Sequence, residues 1–215
     1  MRKTSVGHGL KWVSDRLAAL VLAIVSAPAL AVIGVAILIE DGRPILFVQL
    51  RAGRGGRPFR MLKFRSMIRT AIADHGAVTE DPFGVVRDDP RITATGRFLR
   101  RTGLDELPQL FNVLVGQMSL VGPRPDVLEQ VANYTPEDRR RLAVRPGITG
   151  WAQVRGRDEI GWPERIALDV WYIEHWSLVL DAKILLLTAL QPFRADPDPV
   201  PDSMNIERGR GRPHD

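Results

Sequence analysis

The sequence predicts a mainly helical α+β protein: an N-terminal helix held in a membrane, a small β-hairpin, and a domain closed by amphipathic helices lying on the membrane surface. Three observations carry this expectation. The 23 residues LAALVLAIVSAPALAVIGVAILI, between Arg16 and Glu40, hold no charge. Two extended runs flank a glycine-rich stretch between positions 45 and 67, and apolar residues recur at helical spacing from 92 to 116 and again from 162 to 193. The chain therefore divides into a membrane element (1–40), a folded domain (41–193) and a disordered, proline-, glycine- and charge-rich tail (194–215).

The apolar run would be roughly 34 Å long as a helix, enough to cross a hydrocarbon core of about 30 Å. It is too long for the apolar core of a signal peptide. Pro28 lies near its centre, where it removes one helical N–H and collides with the carbonyl of Ile24, so a break or kink is expected there, with Ser26 placed to satisfy a freed carbonyl. A kinked spanning helix is the competing reading. Arg43, Arg51 and Arg54 follow the run as closely as Lys11 and Arg16 precede it, which makes both flanks cytoplasmic by the loop-charge rule and favours re-entry.

The net charge is +5, and 26 of the 30 basic residues are Arg. Arg grips phosphate with a two-pronged fork, so the composition favours phosphate-bearing ligands or an anionic lipid surface over nucleic acid, although codon bias explains an Arg excess equally well. There is no cysteine, which excludes disulfides and thiolate metal sites, and His8, His75, His175 and His214 match no zinc spacing.

In order along the domain, Ile45–Arg51 and Phe59–Met67 read as a hairpin in which Leu62 and Phe64 share one face while Met61, Lys63 and Arg65 share the other. Residues 70–93 read as a loop. From Ile92 to Arg101 a helix is expected, with Arg97, Arg100 and Arg101 crowding one side in a way that an anion would relieve. In LDELPQLFNVL, Pro108 is tolerated only in a first helical turn, so a helix should start at or just before Asp105 and stop at Gly116. Asp105 and Glu106 would then sit at its positive end. They either cap the helix, with Thr102 a rival cap, or form a site: one carboxylate kept ionised by arginines to attack an electrophile, the other turned about 100° away to hold a hard cation such as Mg²⁺. Arg124 in GPRPD is stiffened by two prolines, as in a preformed phosphate clamp or an ordinary turn. RPGITGWAQVRGR offers glycines among arginines, a weak anion cradle. Trp162, Trp171, Tyr172 and Trp176 suit the headgroup zone, while Asp169, Asp181 and Lys183 argue against a second span.

Taken in order, the proline-broken apolar segment, QLRAGRGGRPFRMLKFRSM, DDPRITATGRFLRRTGLDELPQLFNVLVGQMSLVGPRP, RPGITGWAQVRGR and LDVWYIEHWSLVLDAKILLLT resemble the bacterial sugar transferase family, the monotopic phosphoglycosyl transferases, over residues 10–193. The resemblance implies an enzyme of the bacterial inner membrane, its catalytic domain on the cytoplasmic face. Such an enzyme moves a sugar 1-phosphate from a UDP-sugar to undecaprenyl phosphate at the start of surface glycan assembly. It further implies Asp105 as the nucleophile of a covalent phospho-sugar intermediate, Glu106 as a Mg²⁺ ligand, Lys63, Arg100 and Arg124 as phosphate contacts, and Asp169 as a second residue near the metal. The family's re-entrant break is of Ser-Pro type, read here as Ser26-Ala27-Pro28. The lack of a preceding multi-span domain resembles small members that take N-acetylated amino sugars. A non-catalytic membrane-anchored protein binding anionic lipid or phosphate is the alternative.

Overall fold

The computed structural model describes residues 5–68, 89–156 and 160–190, with side chains from Gly9 onward. It is mostly helical, with two two-stranded sheets. Helix α1 runs Ser5–Asp41, followed by β1 (Leu46–Ala52) and β2 (Pro58–Phe64), α2 (Ala94–Thr102), α3 (Gln109–Leu114), β3 (Ser119–Val121), α4 (Leu128–Ala132), β4 (Gly147–Thr149), α5 (Trp151–Gly156), α6 (Trp162–His175) and α7 (Leu178–Leu190).

The expected break at Pro28 is absent from the helical backbone: α1 continues through it as one element. Ser26 does not serve the carbonyl that Pro28 leaves free. Its hydroxyl donates to Leu22 O at 2.6 Å, because a serine in a helix reaches the carbonyl four residues behind it, and Ile24 lies only two behind. Ala19, Ala23, Leu30, Ile33 and Ile37 recur at helical spacing and pack on the domain, whereas Val21, Ile24, Val25, Val32, Val35 and Ile39 are exposed. Both flanks of the apolar run are tied to the same body. At the leading flank Lys11 pairs with Asp181 at 2.6 Å, Arg16 donates to Leu114 O, and Asp15 accepts from Ser119. At the trailing flank Glu40 accepts from Ala94 N at 2.7 Å, and Arg65 donates to the carbonyls of Asp41 and Gly42.

The hairpin forms as expected, with Leu46 opposite Phe64 and Phe47 opposite Lys63. Its faces divide differently from the simple apolar-against-cationic reading: Met61, on the Lys63 face, lies in the core with Phe59, and Arg65 is 2% exposed. Helix α3 covers the Met61 face, whereas α1 and α2 cover only the Phe64 end of the other face, on which Leu46, Val48 and Leu50 are exposed. The main core joins Phe59, Met61, Leu110, Val113, Met118, Trp151, Tyr172 and Ile184 with Ala19; a second joins Phe64 and Leu99 with Ile33 and Ile37.

Strands β3 and β4 pair in parallel, Ser119 opposite Gly147 and Val121 opposite Thr149. The glycines here serve contact between backbones, the opposite of an open cradle: a Cβ on Gly147 would stand 2.1 Å from Gly122 N, and one on Gly150 2.3 Å from Gly122 O. Two of the aromatics expected at a headgroup surface turn inward. Tyr172 is buried and bonds Asp181 and Val121 O, and Trp162 packs beside Tyr134 and under the Arg141 guanidinium. Trp171 remains exposed, stacked between Trp151 and His175. The 70–93 loop falls largely, and the 194–215 tail wholly, outside the described residues.

Candidate active site

The acidic pair lies in a reversal between two helices. Thr93 caps α2 by accepting from Gly96 N at 2.9 Å, and the helix ends at Gly103, whose φ of +73° few other residues adopt cheaply. A single 3₁₀ turn, Leu104–Glu106, follows, and α3 begins only at Gln109 with Pro108 in its cap position. The expected helix start at Asp105 is therefore late by four residues. Neither acid caps a helix, and Thr102 turns back to donate to Phe98 O. Gly116, with φ of +83°, ends the α3 region as expected. Leu104 and Leu107 anchor the turn in the core, and Asn112 clamps α3 to β2 by accepting from Leu62 N and donating to Arg60 O. That clamp brings Lys63 onto the turn.

The two adjacent carboxylates have opposite environments. Glu106 Oε1 accepts from Lys63 Nζ at 2.9 Å and from Arg124 Nη2 at 2.8 Å. Burial alone would raise its pKa, but the charges of Arg124 and Lys63 outweigh that and hold it at about 2. Asp105 is 9% exposed, and its carboxylate makes no hydrogen bond or ion pair among the described residues. Burial, with Glu106 adding to it, raises the Asp105 pKa against the pull of Lys63, Arg124 and Arg100. Lys63 is in turn lowered, first by burial and then by Arg124. One carboxylate is committed to cations; its neighbour is desolvated and has no bond among the described residues.

Arg100 reaches this neighbourhood from α2, where Nε donates to Ser66 Oγ at 2.8 Å. Of the three arginines expected to crowd one side, Arg97 turns to Ile92 O and Arg100 to Ser66. The Arg124 loop is held at four successive carbonyls. Pro123 O accepts from Gly147 N, Arg124 O from Arg141, Pro125 O from Arg51 and Asp126 O from Ala52 N. Asp169 lies elsewhere: it is 2% exposed on α6, and Arg141 donates to it at 2.6 Å. Burial raises its pKa to about 6 despite that guanidinium. Arg141, Asp126 and Tyr134 were invisible to sequence reasoning, because RRRLAVRP and GPRPD carry no local sign that their side chains meet in the interior.

Among the described residues no three His, Asp or Glu side chains assemble into a metal cage. Mg²⁺ is commonly bound by one or two carboxylates together with substrate phosphates, and the second oxygen of Glu106, which makes no hydrogen bond or ion pair among the described residues, fits that mode.

Residues 6–195 match the model of the family described as bacterial sugar transferase. The chain belongs to the bacterial sugar transferase family. Among its relatives, an uncharacterized sugar transferase of Bacillus subtilis, EpsL, is 45% identical over 150 residues, 70% of each chain. The undecaprenyl-phosphate galactose phosphotransferase of Salmonella typhimurium is 38% identical over 87% of this chain and 41% of its own length. The UDP-glucose:undecaprenyl-phosphate glucose-1-phosphate transferase of Xanthomonas campestris is 43% identical over 84% of this chain and 38% of its own. This sugar transferase chain thus spans about two fifths of the length of the latter two relatives. Its Asp105–Glu106 pair, Lys63, Arg100 and Arg124 all fall within the matched residues.

Proposed function

We propose that this protein transfers a sugar 1-phosphate from a UDP-sugar to undecaprenyl phosphate, releasing UMP, by way of a covalent intermediate on Asp105. The observation that carries the reading is the asymmetry of the acidic pair: Glu106 is fixed by two cations, whereas Asp105 is buried beside them with no hydrogen bond or ion pair among the described residues. A desolvated carboxylate is a better nucleophile once ionised, and Lys63, Arg124 and Arg100 supply the positive potential that lets a diphosphate approach it. Asp105 attacks the phosphorus that bears the sugar, the bond to the UMP oxygen breaks, and UMP leaves with that electron pair. The lipid phosphate oxygen then attacks the same phosphorus and restores the carboxylate. Mg²⁺, held by Glu106 with the donor phosphates, would neutralise phosphate charge. Lys63 and Arg124 keep Glu106 in place and face the phosphates; Arg100, steadied by Ser66, does so from α2.

Membrane attachment supports the same reading. Helix α1 is the one described helix long and apolar enough to cross a bilayer. Because Lys11, Asp15 and Arg16 at one flank and Glu40 and Asp41 at the other are bonded to a single body, both flanks belong on one side, which favours attachment at the cytoplasmic face of the inner membrane over crossing. Val179 and Leu186, exposed one above the other on α7, suit contact with lipid. The test is to incubate purified protein with a panel of UDP-sugars, including UDP-glucose, UDP-galactose and UDP-N-acetylglucosamine, with Mg²⁺ and undecaprenyl phosphate. UMP release that requires the lipid supports transfer. Breakdown without lipid would indicate a hydrolase, and no release with any donor would leave a binding protein.

A further inference from the structure

We propose that Arg141 is a positioning residue for the Arg124 clamp, and that Asp169 and Asp126 are its counter-ions. The proposal rests on the phosphate-binding role of Arg124 given above. Arg141 lies on the 3₁₀ segment Asp138–Ala143, outside the residues that face the acidic pair, and its side chain is 1% exposed. One guanidinium nitrogen donates to Asp126 and to the Tyr134 hydroxyl; the other donates to Asp169 at 2.6 Å and to the carbonyl of Arg124 at 3.1 Å. Tyr134 completes the ring by donating to Asp126, and Trp162 covers the guanidinium plane at 5.1 Å.

This arrangement has a direct mechanical consequence. Arg124 sits between two prolines, so its backbone has little freedom except rotation of the segment as a whole, and Arg141 holds the carbonyl that would swing with it. Only a planar fork can bridge two carboxylates, a phenol and a carbonyl from separate elements; a lysine presents a point charge. The two carboxylates keep the fork charged in the interior, Asp169 reaching it from α6 and Asp126 from the clamp's own loop. Asp169 therefore acts on the site through Arg141 and Arg124, in place of the metal contact expected from the resemblance.

The test is a double-mutant cycle. Arg141→Lys should lower kcat by about 100-fold, since small misplacements away from the reacting atoms carry losses of that size. In the Arg124→Lys background the same change should cost less than about threefold, because residues acting through one another are not additive. The cycle is repeated on UDP binding by calorimetry, which needs no turnover. A wild type that binds UDP yet releases no UMP refutes the reaction while this arm still decides the positioning. Full multiplication of the two losses would show that Arg141 is merely structural and overturn the proposal. Asp169→Asn, which keeps an oxygen for Arg141, supplies the second arm. Half-saturation by Mg²⁺ within about twofold of wild type is expected, and a tenfold rise would make Asp169 a metal ligand instead.

Discussion

Replacing Glu106 by Gln removes the charge between Lys63 and Arg124 and keeps the shape. Holding this carboxyl at about 2 in place of its ordinary 4.5 is worth about 3 kcal/mol at neutral pH. Lys63 works against this, since burial and Arg124 lower its own pKa, so that figure is a ceiling for the group as a whole. The sign follows from the depressed value: the stabilisation is complete above the unfolded pKa of 4.5 and is lost as pH falls toward 2. A protein of this size melts about 2–4 °C lower per kcal/mol lost, so Glu106→Gln should melt up to about 12 °C below wild type at pH 7. The gap should narrow steadily below pH 4.5. Thermal unfolding in detergent micelles, followed by near-ultraviolet circular dichroism across that pH range, reads both quantities. Equal melting at pH 7, or a gap that does not change with pH, would refute the view that Glu106 is the charged anchor of the two cations.

The neighbouring acid should behave in the opposite way. Asp105→Asn should abolish lipid-dependent UMP release yet melt at or above the wild-type temperature, because a buried carboxylate with a raised pKa destabilises the fold once ionised. The same raised pKa places the acid limb of kcat/KM above the ordinary aspartate range near 3.9, and a limb at or below that value would remove Asp105 as the ionised nucleophile. Gly147→Ala should cost several kcal/mol or prevent folding, since its Cβ meets Gly122 N at 2.1 Å; soluble yield and melting temperature check it. Single cysteines placed at positions 9 and 42 of this cysteine-free chain should both be labelled from the cytoplasmic side, and labelling of one from the opposite side would establish a crossing.

Much of the local structure is legible in the sequence. The uncharged run specifies a long helix, the glycine-rich turn a hairpin, Gly116 the end of a helical segment, and the motif order the family, because each depends on sterics and burial patterns within a few residues. Lys63, Arg100, Arg124 and the acidic pair were singled out through their motifs, and the structure brings Lys63 and Arg124 onto Glu106. What the tertiary structure decided is the division of labour among these charges. Asp105 and Glu106 are adjacent, yet only Glu106 meets Lys63 from β2 and Arg124 from the loop after β3. Asp169 finds its partner in Arg141, and both flanks of α1 find theirs on one body, while the helix itself runs through Pro28. A carboxylate's ionisation and bonding depend on the charges and solvent exclusion that distant segments bring within a few ångströms of it, and neighbours in space of this kind leave no periodicity in the chain.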